Sequence, residues 1–213
     1  MGCCGSKVAS EDPRRSNKSV LKSPVLCASS VSQGSKHTHT ASTKSTVEEE
    51  EEPALDERSI LLLQTSWEEF NKINSGQFSN LYGVMIFVKI FQLSPAASTL
   101  FDFVDETEEV SLMKNKKMHC QVDHVLNALS TAVTNLGQLA FVAGILQKLG
   151  GRHVAYNMQE EYFDSFKIAV MYALEAALED KLTEEHKAAW KVFLDIVCEN
   201  MLIGFRKQKQ LND

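Results

Sequence analysis

The stretch ILLLQTSWEEF, residues 60–70, decides the fold class. Ile60, Leu63, Trp67 and Phe70 fall at i, i+3, i+7 and i+10, which sets them on one helix face. The pattern returns near the C-terminus in Trp190, Phe193, Leu194, Val197 and Met201. Between these ends, Tyr162 to Leu178 reads as another long helix, with Phe163, Phe166 and Val170 aligned. Thr183 followed by Glu184 and Glu185 reads as a helix start: a hydroxyl for the open N–H groups, then acids near the positive end of the dipole. There is no Asn-Gly or Asp-Gly turn pair and no sustained alternation, so strand signals are poor. An all-α domain over residues 54–213 is expected, with no internal repeat.

Before Ala54 the composition changes. Residues 1–47 are rich in Ser, Thr and Lys and poor in large apolar side chains. Such a segment buries too little surface to offset its chain entropy, so residues 1–53 are expected to be a disordered tail. Lys7, Arg14, Arg15, Lys18, Lys22, Lys36 and Lys44 there face only Glu11 and Asp12. The acidic run Glu48 to Glu52, closed by Pro53, reads as a solvated spacer.

The tail opens Met-Gly-Cys-Cys-Gly-Ser-Lys, which fits the N-myristoylation pattern of Gly2 with Ser6. One myristoyl chain binds a membrane only marginally, so stable anchoring needs a second signal. Cys3 and Cys4 are the expected palmitoylation sites, and the basic residues that follow suit an anionic leaflet. The expected location is the cytosolic face of the plasma membrane or another membrane. No secretory apolar core precedes the domain, and no run of about 18 apolar residues occurs.

Other classes are disfavoured. The net charge of −6 argues against a nucleic-acid partner. The five cysteines, Cys3, Cys4, Cys27, Cys120 and Cys198, are odd in number and form no C-x-x-C pair, so neither a disulfide framework nor a zinc site is expected.

Residues 84–135 open a resemblance that runs from Ala54 to near the C-terminus. Phe87-Val-Lys-Ile-Phe-Gln-Leu-Ser-Pro95 followed by Thr99-Leu-Phe101-Asp-Phe103 resembles the second and third helices of animal globins. Val125 to Leu136 is similar to the distal haem helix of the neuroglobins and cytoglobins, and Leu149-Gly-Gly-Arg-His153 to the proximal helix. Tyr162-Phe163 and Ala188-Ala-Trp190 match the last two long helices. An acylated extension on such a domain most resembles the membrane-bound globin X group. The resemblance implies a 3-on-3 helical sandwich around haem b (iron protoporphyrin IX), with His153 as the proximal iron ligand. It also implies that Phe101, Phe103 and Met158 wall the haem and that Phe87 crowds its distal side.

The distal face departs from the family pattern. Alignment puts Val125 over the iron and Gln121, one turn earlier, in the position where most relatives have histidine. A glutamine amide donates a hydrogen bond but is a poor iron ligand, so five-coordinate ferrous iron is expected. His124 and His119 lie close enough to be alternatives; if Gln121 is distal, His124 meets a propionate at the rim. The expected ligands are O2, CO and NO. The expected function is reversible gas binding at a membrane. The alternative is redox chemistry (nitric oxide dioxygenation, nitrite reduction, electron transfer or protection of membrane lipids) with an external reductase, since no G-x-G-x-x-G motif occurs.

Overall fold

The computed structural model describes residues 55–75, 80–102, 104 and 109–212. They form seven α-helices: α1 (Glu57–Asn74), α2 (Leu81–Leu93), α3 (Glu109–Lys114), α4 (Lys116–Thr134), α5 (Leu139–His153), α6 (Tyr162–Leu178) and α7 (Glu184–Asn212). Short 3-10 turns cover Pro95–Leu100, Leu136–Gln138, Val154–Tyr156 and Glu179–Lys181. No strand occurs among the described residues. The expected tail, with Gly2, Cys3 and Cys4, lies outside the described residues, as does Phe103.

Local chemistry sets the helix starts. Asp56 caps α1 through Oδ1, which accepts from the Ser59 N–H at 2.7 Å; hydrogen bonding from the Ser59 side chain first, and then from this N–H, holds its carboxyl below the usual range. Asn115 caps α4 by accepting from the N–H groups of Lys117 and Met118 at 2.9 and 3.3 Å. Thr183 precedes α7, as expected, and its Oγ1 lies 2.8 Å from His186 Nδ1. Pro95 opens the turn after α2, where its fixed φ suits a first helical position.

The helices stack in two layers, α1, α4 and α5 against α2, α6 and α7, the 3-on-3 arrangement of the globin fold. The stripe read from the sequence is the core: Leu63, Trp67 and Phe70 of α1 meet Trp190, Phe193 and Leu194 of α7. Trp67 stacks on Phe70 at 5.1 Å and tilts against Trp190 at 5.7 Å. Each indole N–H finds a hydroxyl, Trp67 donating to Ser130 at 2.9 Å and Trp190 to Ser66 at 3.0 Å. Ser66 in turn donates to the Leu62 carbonyl at 2.6 Å, so this buried polar group is satisfied.

Two crossings need glycine. A Cβ on Gly83 of α2 would run into Val122 of α4. On the other side, a Cβ on Gly150 of α5 would strike the Met201 carbonyl of α7, and one on Gly204 would strike the Gln147 carbonyl. The α5–α7 seam is therefore backbone against backbone, closed further by Gln147 Nε2 donating to Asn200 Oδ1 at 3.2 Å. Meanwhile α4 and the α5 segment diverge by 73°.

Two stability effects follow from this geometry. Gly150→Ala forces α5 off α7, because a backbone carbonyl cannot rotate away; the expected loss is about 2–3 kcal/mol. It reads as a lower urea midpoint at constant slope, and an unchanged midpoint would mean that the helices do not meet this closely. Glu179, at φ 48° and ψ −127°, sits where side chains are strained, so Glu179→Gly is expected to raise stability by about 1 kcal/mol in the same assay.

Candidate functional site

His153 is the last residue of α5, directly beyond the glycine seam. Its Nδ1 lies 2.7 Å from the Leu149 carbonyl, one turn back. A carbonyl only accepts, so Nδ1 carries the proton and Nε2 presents its lone pair. Nε2 has no protein partner among the described residues. The ring is half-buried, between Phe163 at 6.4 Å and Tyr156 at 6.2 Å. Burial lowers its pKa below the ordinary histidine value, outweighing the Leu149 bond, which raises it. The side chain is thus a neutral, oriented imidazole with one uncommitted nitrogen.

α4 supplies the residues expected on the opposite face. Met118, Val122, Leu126, Leu129 and Val133 form its buried stripe. Gln121 and Val125 lie one turn apart on a neighbouring face and are half-buried. The Gln121 amide has no hydrogen-bond partner among the described residues. The two histidines that could take its place are disposed differently. His119 Nε2 lies 2.8 Å from the Met113 carbonyl and so joins α4 to the end of α3. His124 is exposed.

The aromatic side chains cluster beside α2. Phe87 is buried and meets the edge of Phe101 at 5.7 Å, while Phe91 meets Phe101 at 5.6 Å. Phe101 itself is only half-buried, and so are Val125 and Met158. Leu149, Val154 and Phe166 are half-buried as well, a state shared by residues across the domain such as Ile60, Tyr82 and Leu202. The cysteines contribute little. Cys198 is buried against the Phe163 carbonyl at 3.7 Å, and burial pushes its thiol up to about 12. Cys120, next to Gln121, is half-buried.

These residues fit haem. A flat apolar group needs apolar side chains that the protein itself leaves partly uncovered, and its iron needs a neutral imidazole nitrogen without a competing proton. Phe101, Val125, Leu149 and Met158 meet the first need, and His153 meets the second.

Comparison with known proteins agrees. The globin family model matches residues 84–201, more than half of the chain. The neuroglobin of Danio rerio is 25% identical over 154 residues, covering 72% of this chain and 94% of that protein. An anaerobic nitrite reductase of Gossypium hirsutum is 31% identical over 111 residues, covering 51% of this chain and 68% of that protein. One from Physcomitrium patens is 25% identical over 151 residues, covering 70% and 81%. Among solved structures, a hexacoordinated haem protein from an anhydrobiotic tardigrade, at pH 4, superposes with a TM-score of 0.65. It is 22% identical and covers 71% of this chain and 96% of that one, a likeness of fold. By its helices, its oriented imidazole and this match, the chain belongs to the globin family of haem-binding proteins.

Proposed function

We propose that this protein binds diatomic gases (O2, CO and NO) at haem b held by His153, on a domain tethered to the cytosolic face of a membrane. The observation that carries the reading is the His153 ring, neutral and fixed by Leu149 with Nε2 free. When bound, haem supplies an iron that takes gas ligands and exchanges single electrons. Leu149 keeps His153 in the ligating tautomer and strengthens its basicity through the shared proton. Phe101, Phe87 and Met158 would cover the macrocycle, and His124 would meet a propionate at the rim. Val125 limits the space for the ligand. Gln121 gives the gas a hydrogen-bond donor without competing for iron, so no side chain has to leave first.

Gly2, Cys3 and Cys4 supply the tether through one myristoyl and two palmitoyl groups, which together give the firm anchoring that one chain lacks. A second reading, nitrite reduction, draws support from the plant relatives named as anaerobic nitrite reductases. It needs a separate reductase for each electron, because the chain has no dinucleotide-binding glycine motif.

The haem-loaded chain, reduced without oxygen, is expected to show one broad, unresolved visible band. Gln121→His is expected to convert this to sharp split bands. Split bands in the parent would overturn the assignment of Gln121, and a failure of His153→Gly to weaken haem retention would overturn that of His153. Without haem, His153 also makes stability pH-dependent. Its folded pKa lies below the unfolded value near 6.5, so the unfolded chain takes up the proton first as pH falls. Urea midpoints of the haem-free chain should therefore drop below pH 6.5, and His153→Ala should flatten that slope. For the tether, co-expression with an N-myristoyltransferase should add one myristoyl mass that Gly2→Ala abolishes, and the same variant should lower the share of the chain found in membrane fractions.

A further inference from the structure

The outer side of the α5–α7 seam is a groove of about 700 Å³ with Gly151 and Gly204 in its floor. Lys148 and Arg152 of α5 and Lys207 of α7 line it, and no carboxylate of the described residues does. All three cations are exposed and form no ion pair among the described residues. Other cations of this chain, of net charge −6, divide: Lys167, Lys187 and Arg206 sit on carboxylates, while Lys116 and Lys191 also form no ion pair among the described residues. Large apolar side chains share the face. Phe141 lies seven residues before Lys148 on the same side of α5, and Ile203 and Leu211 flank Lys207 at i−4 and i+4 on α7. They are 53%, 53% and 72% exposed, so they project rather than pack.

We propose that this face docks on an anionic lipid surface, with Lys148, Arg152 and Lys207 on the phosphate groups and Phe141, Ile203 and Leu211 entering the acyl boundary. On α7 a cation lies between two apolar tips, and on α5 Phe141 precedes the two cations, which suits a surface that offers phosphate and hydrocarbon side by side. A protein partner would favour an apolar centre with charge at the rim. The negative charge of the rest of the chain is repelled by an anionic leaflet and turns the basic groove towards it. The inference rests on the membrane reading above for the choice of surface. It does not depend on acylation.

The test uses the haem-loaded full chain made without acylation, in co-sedimentation with phosphatidylcholine vesicles with and without phosphatidylserine. The parent is expected to bind the phosphatidylserine vesicles. K148Q/R152Q/K207Q is expected to lose affinity by about fivefold per cation, on the order of a hundredfold in all. F141S/L211S should weaken binding with the charge intact. K89Q/K191Q, a pair of lysines outside the groove, should leave it within about twofold of the parent, and an unchanged Soret band shows that each variant is folded. Equal binding by parent and triple variant overturns the proposal and assigns any affinity to the basic tail. A parent that ignores the vesicles overturns it too, and retention on immobilised polyglutamate would then point to an acidic protein. Because no lipid is attached to the chain, none of these outcomes depends on Gly2, Cys3 or Cys4, whose acylation is read separately by mass.

Discussion

The hydrogen bond from His153 Nδ1 to the Leu149 carbonyl sets the direction of Nε2, the nitrogen proposed to hold iron, and it depends on α5 staying helical to its last turn. That turn is pinned from outside. Gly150 lies against the Met201 carbonyl and Gly204 against that of Gln147, so α5 rests on the backbone of α7. Helices more commonly pack through side chains with axes about 8–10 Å apart. Removing that layer draws α5 towards α7, and the 73° divergence from α4 keeps the two flanking helices apart beyond their shared turn. The imidazole thus sits on a support that does not depend on side-chain rotamers.

The facing side is built differently. Gln121 and Val125 ride on an α4 whose buried stripe is fixed against α2 by the Gly83 contact with Val122. Where the family pattern leads one to look for a ligating histidine, this chain has three polar side chains in distinct states. His119 is engaged with the Met113 carbonyl, His124 is exposed, and Gln121 is half-buried with its amide unengaged. A ring already bonded at Nε2 would have to give up that bond and the α3 junction before it could reach iron. That bond is a cost to His119 that Gln121, with its amide unengaged among the described residues, does not carry, and the proposed open iron site rests on this difference.

Periodicity made the scaffold legible, because burial of one helix face is a property of spacing alone. The run Tyr162–Leu178 is a helix with those same bounds, and Trp190, Phe193, Leu194, Val197 and Met201 are all buried. Ile60, in the first turn of α1, and Phe166 of α6 are partial exceptions and remain half-buried. Local chemistry was legible too, as at Thr183. What spacing could not disclose were contacts between distant segments. Nothing in Leu-Gly-Gly-Arg-His says that the first of its glycines meets Met201, some fifty positions on. Nor could His119 be distinguished from His124 by register, since the difference lies in a carbonyl on α3. The half-buried state of Leu149 and Phe166 likewise comes from how the helices diverge around the site.

The proposed docking face and the proposed haem ligand share α5. Arg152 adjoins His153, and Gly151 lies in the groove floor while Gly150 fills the seam beneath. A contact that pulls on Arg152 or Lys207 loads the same backbone that orients the imidazole, because the seam has no side-chain layer to absorb a shift. Rigid packing of this kind transmits displacement rather than damping it. If docking changes the strain on His153, thermodynamic reciprocity requires gas binding to change the affinity for the membrane by the same factor.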